Sequence, residues 1–418
     1  MKKRIMLVLP STTYRTHAFM TAAAKLDIDL VVASDHRQAL GALVPDTTLA
    51  LNFRKVETIA ERVYEFGQKK SIDAVVGVDD ASAYIAALAA RALGIPHNPV
   101  EAAEAARNKY LMRQKMEAVG LNNPSYQLLP VKKKSSRLAG EVNYPAVLKP
   151  LFLSASRGVT RVNDAAEFAA AFQELKALLT LPEVSGRAYG EEAAHILAED
   201  YIEGVEIALE GILVKREFKA LAIFDKPDPL EGPHFVETIY VTPSRLPGYV
   251  QREAVHAAHR AALALGLENG PVHAELRINE RGAWVIEIAA RSIGGLCSQT
   301  LRFLPEMSLE ELILRQAVGE NILEVQRERA AAAVMMLPVP QAGILEAVEG
   351  VEAAKAVEGV EDVILSIPAG QEVLPLPRGG RYLGFIFARA EQPEDAETAI
   401  REAYRRLKVV IKPGAVGG

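Results

Sequence analysis

The chain has 418 residues, of which 50% are apolar and 24% are charged, and its net charge is −5. This composition indicates a globular protein of about three domains and argues against a disordered or fibrous chain. Because basic residues do not exceed acidic ones, a small-molecule ligand is favoured and a nucleic-acid partner is excluded. The single cysteine, Cys297, cannot form an intrachain disulfide. That is typical of a reducing compartment, and we expect a cytoplasmic protein.

Short apolar runs alternate with amphipathic stretches between residues 1 and 97. Strands are predicted at 4–9, 28–33 and 73–77, and helices at about 16–26, 56–70 and 82–93. This alternation is typical of a doubly wound parallel sheet with helices on both faces. The first apolar run is too short for a signal or membrane-spanning segment, and we expect no membrane association.

The rest of the chain has α+β character. A helix is predicted from Glu101 to Val119, and strands joined by short loops follow from about residue 144 to residue 224. A helix at about 250–265 precedes a hairpin with strands at 272–278 and 283–289. The region 326–418 is predicted to be a separate α+β subdomain that ends in a helix at about 394–407 and a strand at 408–411.

The predicted hairpin carries two carboxylates in otherwise apolar strands, Glu275 and Glu287. A buried carboxylate without a partner costs several kcal/mol. Either both side chains face solvent, or they converge on a counter-charge such as a divalent metal, for which oxygen ligands favour magnesium. Arg291 follows Glu287 and precedes Gly294 and Gly295. It is either a surface arginine or a group that stabilises charge on a transferring phosphoryl or acyl group.

A second candidate site begins at Lys149, which ends a predicted strand before a loop of small residues at 154–158. Backbone amides of such a loop can close over phosphates, with the lysine as a point charge beneath them. The loop holds one glycine and is not a Walker loop, and the alternative is a solvated strand end. Glu199 and Glu206 can accept an adenine amino group or ribose hydroxyls; alternatively they are ordinary hairpin acids.

The order and spacing of these residues resemble the ATP-grasp superfamily of carboxylate-amine ligases, in particular the branch of bacterial L-amino-acid (dipeptide) ligases and carnosine-synthase-like enzymes. The resemblance covers nearly the whole chain. It implies a Rossmann-like pre-ATP-grasp domain at 1–97, a two-lobed ATP-grasp domain at 98–325 with a lid at about 120–195, and a C-terminal subdomain at 326–418. It also implies ATP and Mg²⁺ or Mn²⁺ as cofactors and a small carboxylate and a small amine as substrates, and it is compatible with a homodimer.

The resemblance assigns site residues to four groups. ATP is expected to contact Lys109, Lys149, Ser154, Ser156, Arg157, Gly158, Glu199, Asp200, Tyr201, Ile202 and Glu206. The metal is expected at Glu275 and Glu287, the acyl phosphate at Arg291, and the acceptor substrate at His234, Glu237, Arg245, Gly294 and Gly295. Two positions depart from the family pattern: Ala289 replaces the usual asparagine after the second metal glutamate, and Ala155 replaces a common glycine in the phosphate loop.

The implied reaction transfers the γ-phosphate of ATP to a carboxylate, after which an amine attacks the acyl phosphate and forms an amide or peptide bond. One alternative is a biotin-carboxylase-like carboxylase, against which stand Ala289 and the lack of a Met-Lys-Met carrier sequence. Another is a non-catalytic ATP-binding protein of the same fold. Retention of Glu275, Glu287 and Arg291 argues against that alternative, because a passive binder has little need of them.

Overall fold

The computed structural model describes residues 2–11, 13–36 and 46–413. The N-terminal region contains strands β1 (Arg4–Leu9), β2 (Asp29–Ser34), β3 (Thr48–Ala50) and β4 (Ala74–Gly77), and helices α1 (Thr16–Lys25), α2 (Ile59–Lys69) and α3 (Asp80–Leu93). The strands form a parallel sheet in the order β3-β2-β1-β4. The parallel sheet predicted from the sequence is confirmed.

Strand β1 is apolar throughout because both of its faces are buried. Ile5, Leu7 and Leu9 pack in one core cluster with Phe19 of α1. The alternate residues of β1 pack in another cluster with α2 and α3. Successive side chains of a strand point to opposite faces, so a sheet covered on both sides requires a continuous apolar run.

The helix predicted from Glu101 to Val119 is two helices, α4 (Val100–Arg107) and α5 (Lys109–Glu117). The break occurs at Asn108, whose backbone is extended and whose side chain accepts hydrogen bonds from the amides of Tyr110 and Leu111. Asparagine is a favoured N-cap residue because it satisfies amides that have no partner within the helix. The break places Lys109 in the first turn of α5.

A unit built on a four-stranded antiparallel sheet follows. Its elements are β5 (Tyr126–Pro130), α6 (Ser135–Leu138), β6 (Ala146–Pro150), β7 (Thr160–Val162), α7 (Ala165–Thr180), α8 (Pro182–Ser185) and β8 (His195–Asp200). The strand order is β5-β8-β6-β7. The core of this unit includes Phe168 and Phe172 of α7, packed with Leu148 of β6 and Leu197 of β8. We call this unit the small sheet.

The largest sheet has eight strands and extends into the C-terminal region. This part of the chain contains β9 (Val205–Val214), β10 (Glu217–Asp225), β11 (Ile239–Thr242), α9 (Gly248–Leu265), β12 (Gly270–Asn279), β13 (Gly282–Ala289), β14 (Arg302–Phe303), β15 (Met307–Ser308), α10 (Leu309–Ala317), β16 (Ala331–Leu337), β17 (Gly343–Glu349), α11 (Val351–Lys355), β18 (Val360–Leu365), β19 (Glu372–Val373), β20 (Gly384–Ala390), α12 (Pro393–Arg405) and β21 (Lys408–Lys412). Some of these elements lie outside the eight-stranded sheet. The order β13-β12-β9-β10-β11-β16-β20-β18 joins the C-terminal strands to the central ones. The domain boundaries given above stay predictions.

The mixed α/β and α+β fold class predicted from the sequence is confirmed. Among the described helices, none combines the length and the apolar character needed to cross a membrane.

Candidate active site

A cavity of about 340 Å³ lies between the N-terminal sheet, the small sheet and the eight-stranded sheet. Most of the predicted site residues line it: Lys109, Lys149, Ser154, Ser156, Glu199, Asp200, Tyr201, Ile202, Glu206, Glu237, Glu275, Glu287, Arg291, Gly294 and Gly295. The structure thus brings together side chains that are up to 186 positions apart, from 109 to 295. Their roles stay predictions.

Lys149 and Glu199 form a buried ion pair in this cavity. The Lys149 Nζ donates to Glu199 Oε2 at 2.5 Å, and the Arg113 Nε donates to Glu199 Oε1 at 2.6 Å. Burial alone would raise the pKa of Glu199, but Arg113 and Lys149 lower it to about 2. Glu199 is therefore an anion that holds the Lys149 ammonium at the end of β6, and Lys149 is not a solvated strand end.

The loop after Lys149 divides between the cavity and the C-terminal region. Ala155 and Ser156 both adopt left-handed backbone conformations, with φ of 56° and 53°. Such conformations favour glycine, which makes Ala155 a strained substitute. Arg157 and Gly158 do not line the cavity: the Arg157 Nε donates to the Arg378 carbonyl at 2.9 Å, and the Gly158 amide donates to the Pro377 carbonyl at 3.1 Å. These two residues attach the loop to the C-terminal region.

Glu275 and Glu287 are direct cross-strand partners on β12 and β13. Both line the cavity, and their side chains are only 22% and 25% exposed, so the solvent-facing alternative does not hold. Glu287 Oε2 lies 3.2 Å from Lys109 Nζ. Burial alone would raise the pKa of Glu275, but Lys226 and His273 hold it well below its ordinary value. Each carboxylate is therefore matched to a nearby cation.

Lys226 lies within a cluster of three carboxylates. One oxygen each of Glu206, Glu237 and Glu275 lies within 4.8 Å of the others. The Lys226 Nζ is 2.8 Å from Glu206 Oε1 and 3.5 Å from Glu275 Oε1, and it donates to Glu237. The Lys226 side chain is 2% exposed. Burial opposes its charge, but the three carboxylates raise the pKa of Lys226 well above its ordinary value.

Arg291 is held by Asp80, at the start of α3. The Arg291 Nε and Nη2 donate to the two carboxylate oxygens of Asp80, each at 3.1 Å. Burial alone would raise the pKa of Asp80, but Arg291 keeps it below its ordinary value. Because a two-pronged pair fixes the plane of a guanidinium, the N-terminal region sets the orientation of Arg291. Arg291 is thus a paired cavity residue and not a surface arginine.

Two predicted substrate residues lie outside the cavity lining. The Arg245 Nε donates to Asp225 Oδ2 at 2.9 Å, and its Nη1 donates to Glu397 Oε2 at 2.8 Å. His234 pairs through its backbone with Thr160 of β7, and its Nδ1 is buried without a hydrogen-bond partner among the described residues. Neither residue lines the cavity with the other predicted substrate residues, Glu237, Gly294 and Gly295.

Three further residues of the site were not predicted from the sequence: Asp80, Arg113 and Lys226. Asp80 follows the carboxyl end of β4, the edge at which parallel sheets commonly bind ligands, and this position is a usable signal. Lys226 directly follows the buried end of β10, and, as for Glu275, a charged residue beside a buried apolar strand is a usable signal. Arg113 lies on the buried face of α5 beside Met112 and Met116, and nothing local distinguishes it from an ordinary helix arginine.

Three family descriptions match the chain. The ATP-grasp N-terminal domain matches residues 20–97, the ATP-grasp domain matches residues 142–300, and the L-amino acid ligase C-terminal domain 2 matches residues 335–412.

Two relatives align with a large part of this chain. An uncharacterized protein of Sinorhizobium fredii is 29% identical over 326 residues, which is 77% of this chain and 65% of that protein. The alanine–anticapsin ligase of Bacillus subtilis is 28% identical over 271 residues, which is 62% of this chain and 56% of that protein. The chain thus spans less than two thirds of the length of both relatives.

Two crystal structures share the fold over nearly the whole chain. The L-amino acid ligase of Bacillus licheniformis has a TM-score of 0.80 at 24% identity and covers 98% of this chain and 99% of its own. Carboxyaminoimidazole ribonucleotide synthase of Aspergillus clavatus, solved with ATP, has a TM-score of 0.71 at 16% identity over 97% of this chain and 98% of its own. By the family matches, residues 20–97 and 142–300 of this chain are ATP-grasp domains, and residues 335–412 are similar to the C-terminal domain 2 of L-amino acid ligases.

Proposed function

We propose that the chain is an ATP-dependent carboxylate-amine ligase that joins amino acids or related small molecules through an acyl phosphate. The observation that carries this proposal is the cavity that brings Lys109 and Lys149 together with Glu275, Glu287 and Arg291. A site for phosphoryl transfer needs cations for phosphate oxygens and carboxylates for a metal, and this cavity offers both. The names of the alanine–anticapsin ligase and L-amino acid ligase relatives point to the same reaction class.

The residues fit a bound magnesium ion. Glu275 and Glu287 are adjacent across the strand pair and offer the hard oxygen donors that Mg²⁺ prefers. Ala289, directly opposite His273 on β12, adds no side-chain oxygen, so these two carboxylates would supply the protein ligands. When bound, magnesium neutralises phosphate charge that develops during transfer.

The chain's own residues position the reactants and exclude water. Lys149, oriented by Glu199, supplies a fixed positive charge for phosphate oxygens, and Lys109 adds a second. Arg291, oriented by Asp80, presents a planar donor pair to the acyl phosphate and to the oxyanion that forms when the amine attacks. We further propose that residues 120–195 act as a lid over ATP, because an acyl phosphate hydrolyses readily in water. We also propose a cytoplasmic location, because a reducing compartment suits a single buried cysteine.

The test is a substrate screen with the purified chain. Phosphate release from MgATP is followed with pairs drawn from amino acids, other small carboxylates and amines, and products are identified by mass spectrometry. We expect phosphate release that depends on both partners, with a product lighter by one water than their sum. Release that depends on bicarbonate, with a carboxylated product, would contradict the proposal, and so would ATP binding without turnover for any pair.

A further inference from the structure

We propose that Lys226 is an internal cation that occupies the cluster formed by Glu206, Glu237 and Glu275, keeps free divalent metal out of it, and thereby makes metal binding depend on nucleotide. This inference rests on the proposed function, because it concerns how the same site takes up its metal. Lys226 would be a residue that decides where the metal binds, without contacting the reacting atoms.

The geometry of the cluster is that of a cation site already filled. Carboxylate oxygens within 4.8 Å of one another, as in Glu206, Glu237 and Glu275, are close enough to share one ion. The Lys226 ammonium contacts two of these carboxylates directly and lies 3.5 Å from the third. An ammonium has three donors, and three carboxylates surround this one.

The Lys226 side chain cannot leave the cluster easily. It is 2% exposed, whereas the carboxylate side chains around it are 10%, 13% and 22% exposed. Its ammonium also lies 5.2 Å from the centre of the Tyr240 ring, which favours a cation on that side. A divalent ion that entered would meet a positive charge at the centre of its ligand set. Like charges repel strongly where water is scarce.

Glu287, the other predicted metal ligand, is also engaged by a lysine, since Lys109 Nζ lies 3.2 Å from its Oε2. Without nucleotide, a metal ion therefore finds a lysine ammonium beside both Glu275 and Glu287. Lys109 also lines the cavity, where phosphate oxygens would offer it an alternative partner. Metal would then bind between the phosphates and the Glu275 and Glu287 pair, and Lys226 would remain on Glu206 and Glu237.

The experiment measures Mn²⁺ binding by electron paramagnetic resonance and calorimetry, with the full chain and no substrate. Without nucleotide, we expect weak binding to the wild type and one Mn²⁺ bound at least tenfold more tightly to Lys226→Gln. Lys226→Arg, which keeps the charge, and Lys219→Gln should match the wild type. Lys219 is a control because it is partly buried on β10 and donates to the Leu323 carbonyl instead of to a carboxylate. Adding Glu237→Gln to Lys226→Gln should abolish the gain.

Two titration results would overturn the inference: nucleotide-free wild type that binds Mn²⁺ as tightly as Lys226→Gln, or a Lys226→Gln variant that gains no affinity. If Lys226→Gln is too unstable for titration, Mn²⁺ should raise its melting temperature and leave that of the wild type unchanged; no rise would also overturn it. Mn²⁺ binding by the wild type with ATP tests the proposed function separately. Failure in that arm alone would refute metal–nucleotide binding, and with it the nucleotide dependence, but it would leave the exclusion of free metal by Lys226 intact.

Discussion

Replacing Asp80 by asparagine should impair the chemical step because Asp80 orients Arg291. The substitution keeps the shape of the side chain and removes its charge, so the guanidinium loses the anion that it meets at two 3.1 Å contacts. Breaking a buried ion pair by removing one partner costs about 3–5 kcal/mol of folding stability. Glu287 and Glu210 also attract Arg291, and the asparagine oxygen can still accept one hydrogen bond. If Arg291 loses one well-aligned hydrogen bond to the charged transition state, we expect a loss of about 2 kcal/mol in transition-state stabilisation, which is roughly 30-fold in kcat.

The assay is phosphate release at saturating MgATP and substrates, together with the KM for ATP and thermal unfolding. Asp80→Asn should lower kcat and leave the KM for ATP within about twofold, because Arg291 is assigned to the acyl phosphate. Glu192→Gln is the matched control, because both carboxylate oxygens of Glu192 accept hydrogen bonds from Arg107, at 2.8 and 2.9 Å. Neither Glu192 nor Arg107 lines the cavity. Glu192→Gln should lower stability without lowering kcat. Wild-type kcat in Asp80→Asn would refute the positioning role.

Four further outcomes are expected. Lys149→Met should weaken ATP binding at least tenfold in calorimetry, because a fixed charge is lost from the phosphate site; an unchanged dissociation constant would contradict its assignment. Glu275→Gln and Glu287→Gln should each lose at least about 100-fold of magnesium-dependent turnover while circular dichroism stays native, and wild-type turnover in both would refute the metal site. The pKa of Glu199 falls from 4.5 to about 2 on folding, which contributes about 3 kcal/mol to the free energy of unfolding. This contribution is present above pH 4.5 and is lost as the pH falls towards 2. Urea titrations across that pH range should show this loss in the wild type and not in Glu199→Gln. An equal dependence of the free energy of unfolding on pH in both proteins would count against this prediction. Amide hydrogen exchange in residues 154–158 should slow with a nonhydrolysable ATP analogue and magnesium, and unchanged exchange would argue against a lid.

The parts of the fold that could be predicted from the sequence are those with a strong local pattern. The apolar run of β1 and the alternation after it predict the parallel sheet, because burial on both faces leaves no room for polar residues. The hairpin around Asn279 and Gly282 could also be predicted, since a polar turn separates two apolar strands. The break at Asn108 could not be predicted. Asn108 is a strong N-cap residue, but the helical pattern is continuous on both sides of it and hides the break.

The partners of the candidate site residues could not be predicted, because they come from distant parts of the chain. Glu275 could be predicted to need a counter-charge, since a lone carboxylate in an apolar strand is costly. That need does not specify whether a metal, a lysine or a histidine meets it. The structure supplies Lys226 from the residue after β10 and His273 from β12, the strand of Glu275 itself. Only the packing of β9, β10 and β12 determines which cation lies within reach.

The N-terminal region is part of the candidate site and does more than support it. Asp80 pairs with Arg291, and Arg15 donates to the Ile293 carbonyl at 2.8 Å and to Glu310 at 2.5 Å. Arg15 and Glu310 are almost fully buried, so this ion pair lies within the contact between the N-terminal region and α10. The segment after β13 is therefore held by the N-terminal region at both Arg291 and Ile293. Correct placement of Arg291 thus requires docking of the N-terminal region as well as folding of the central sheet.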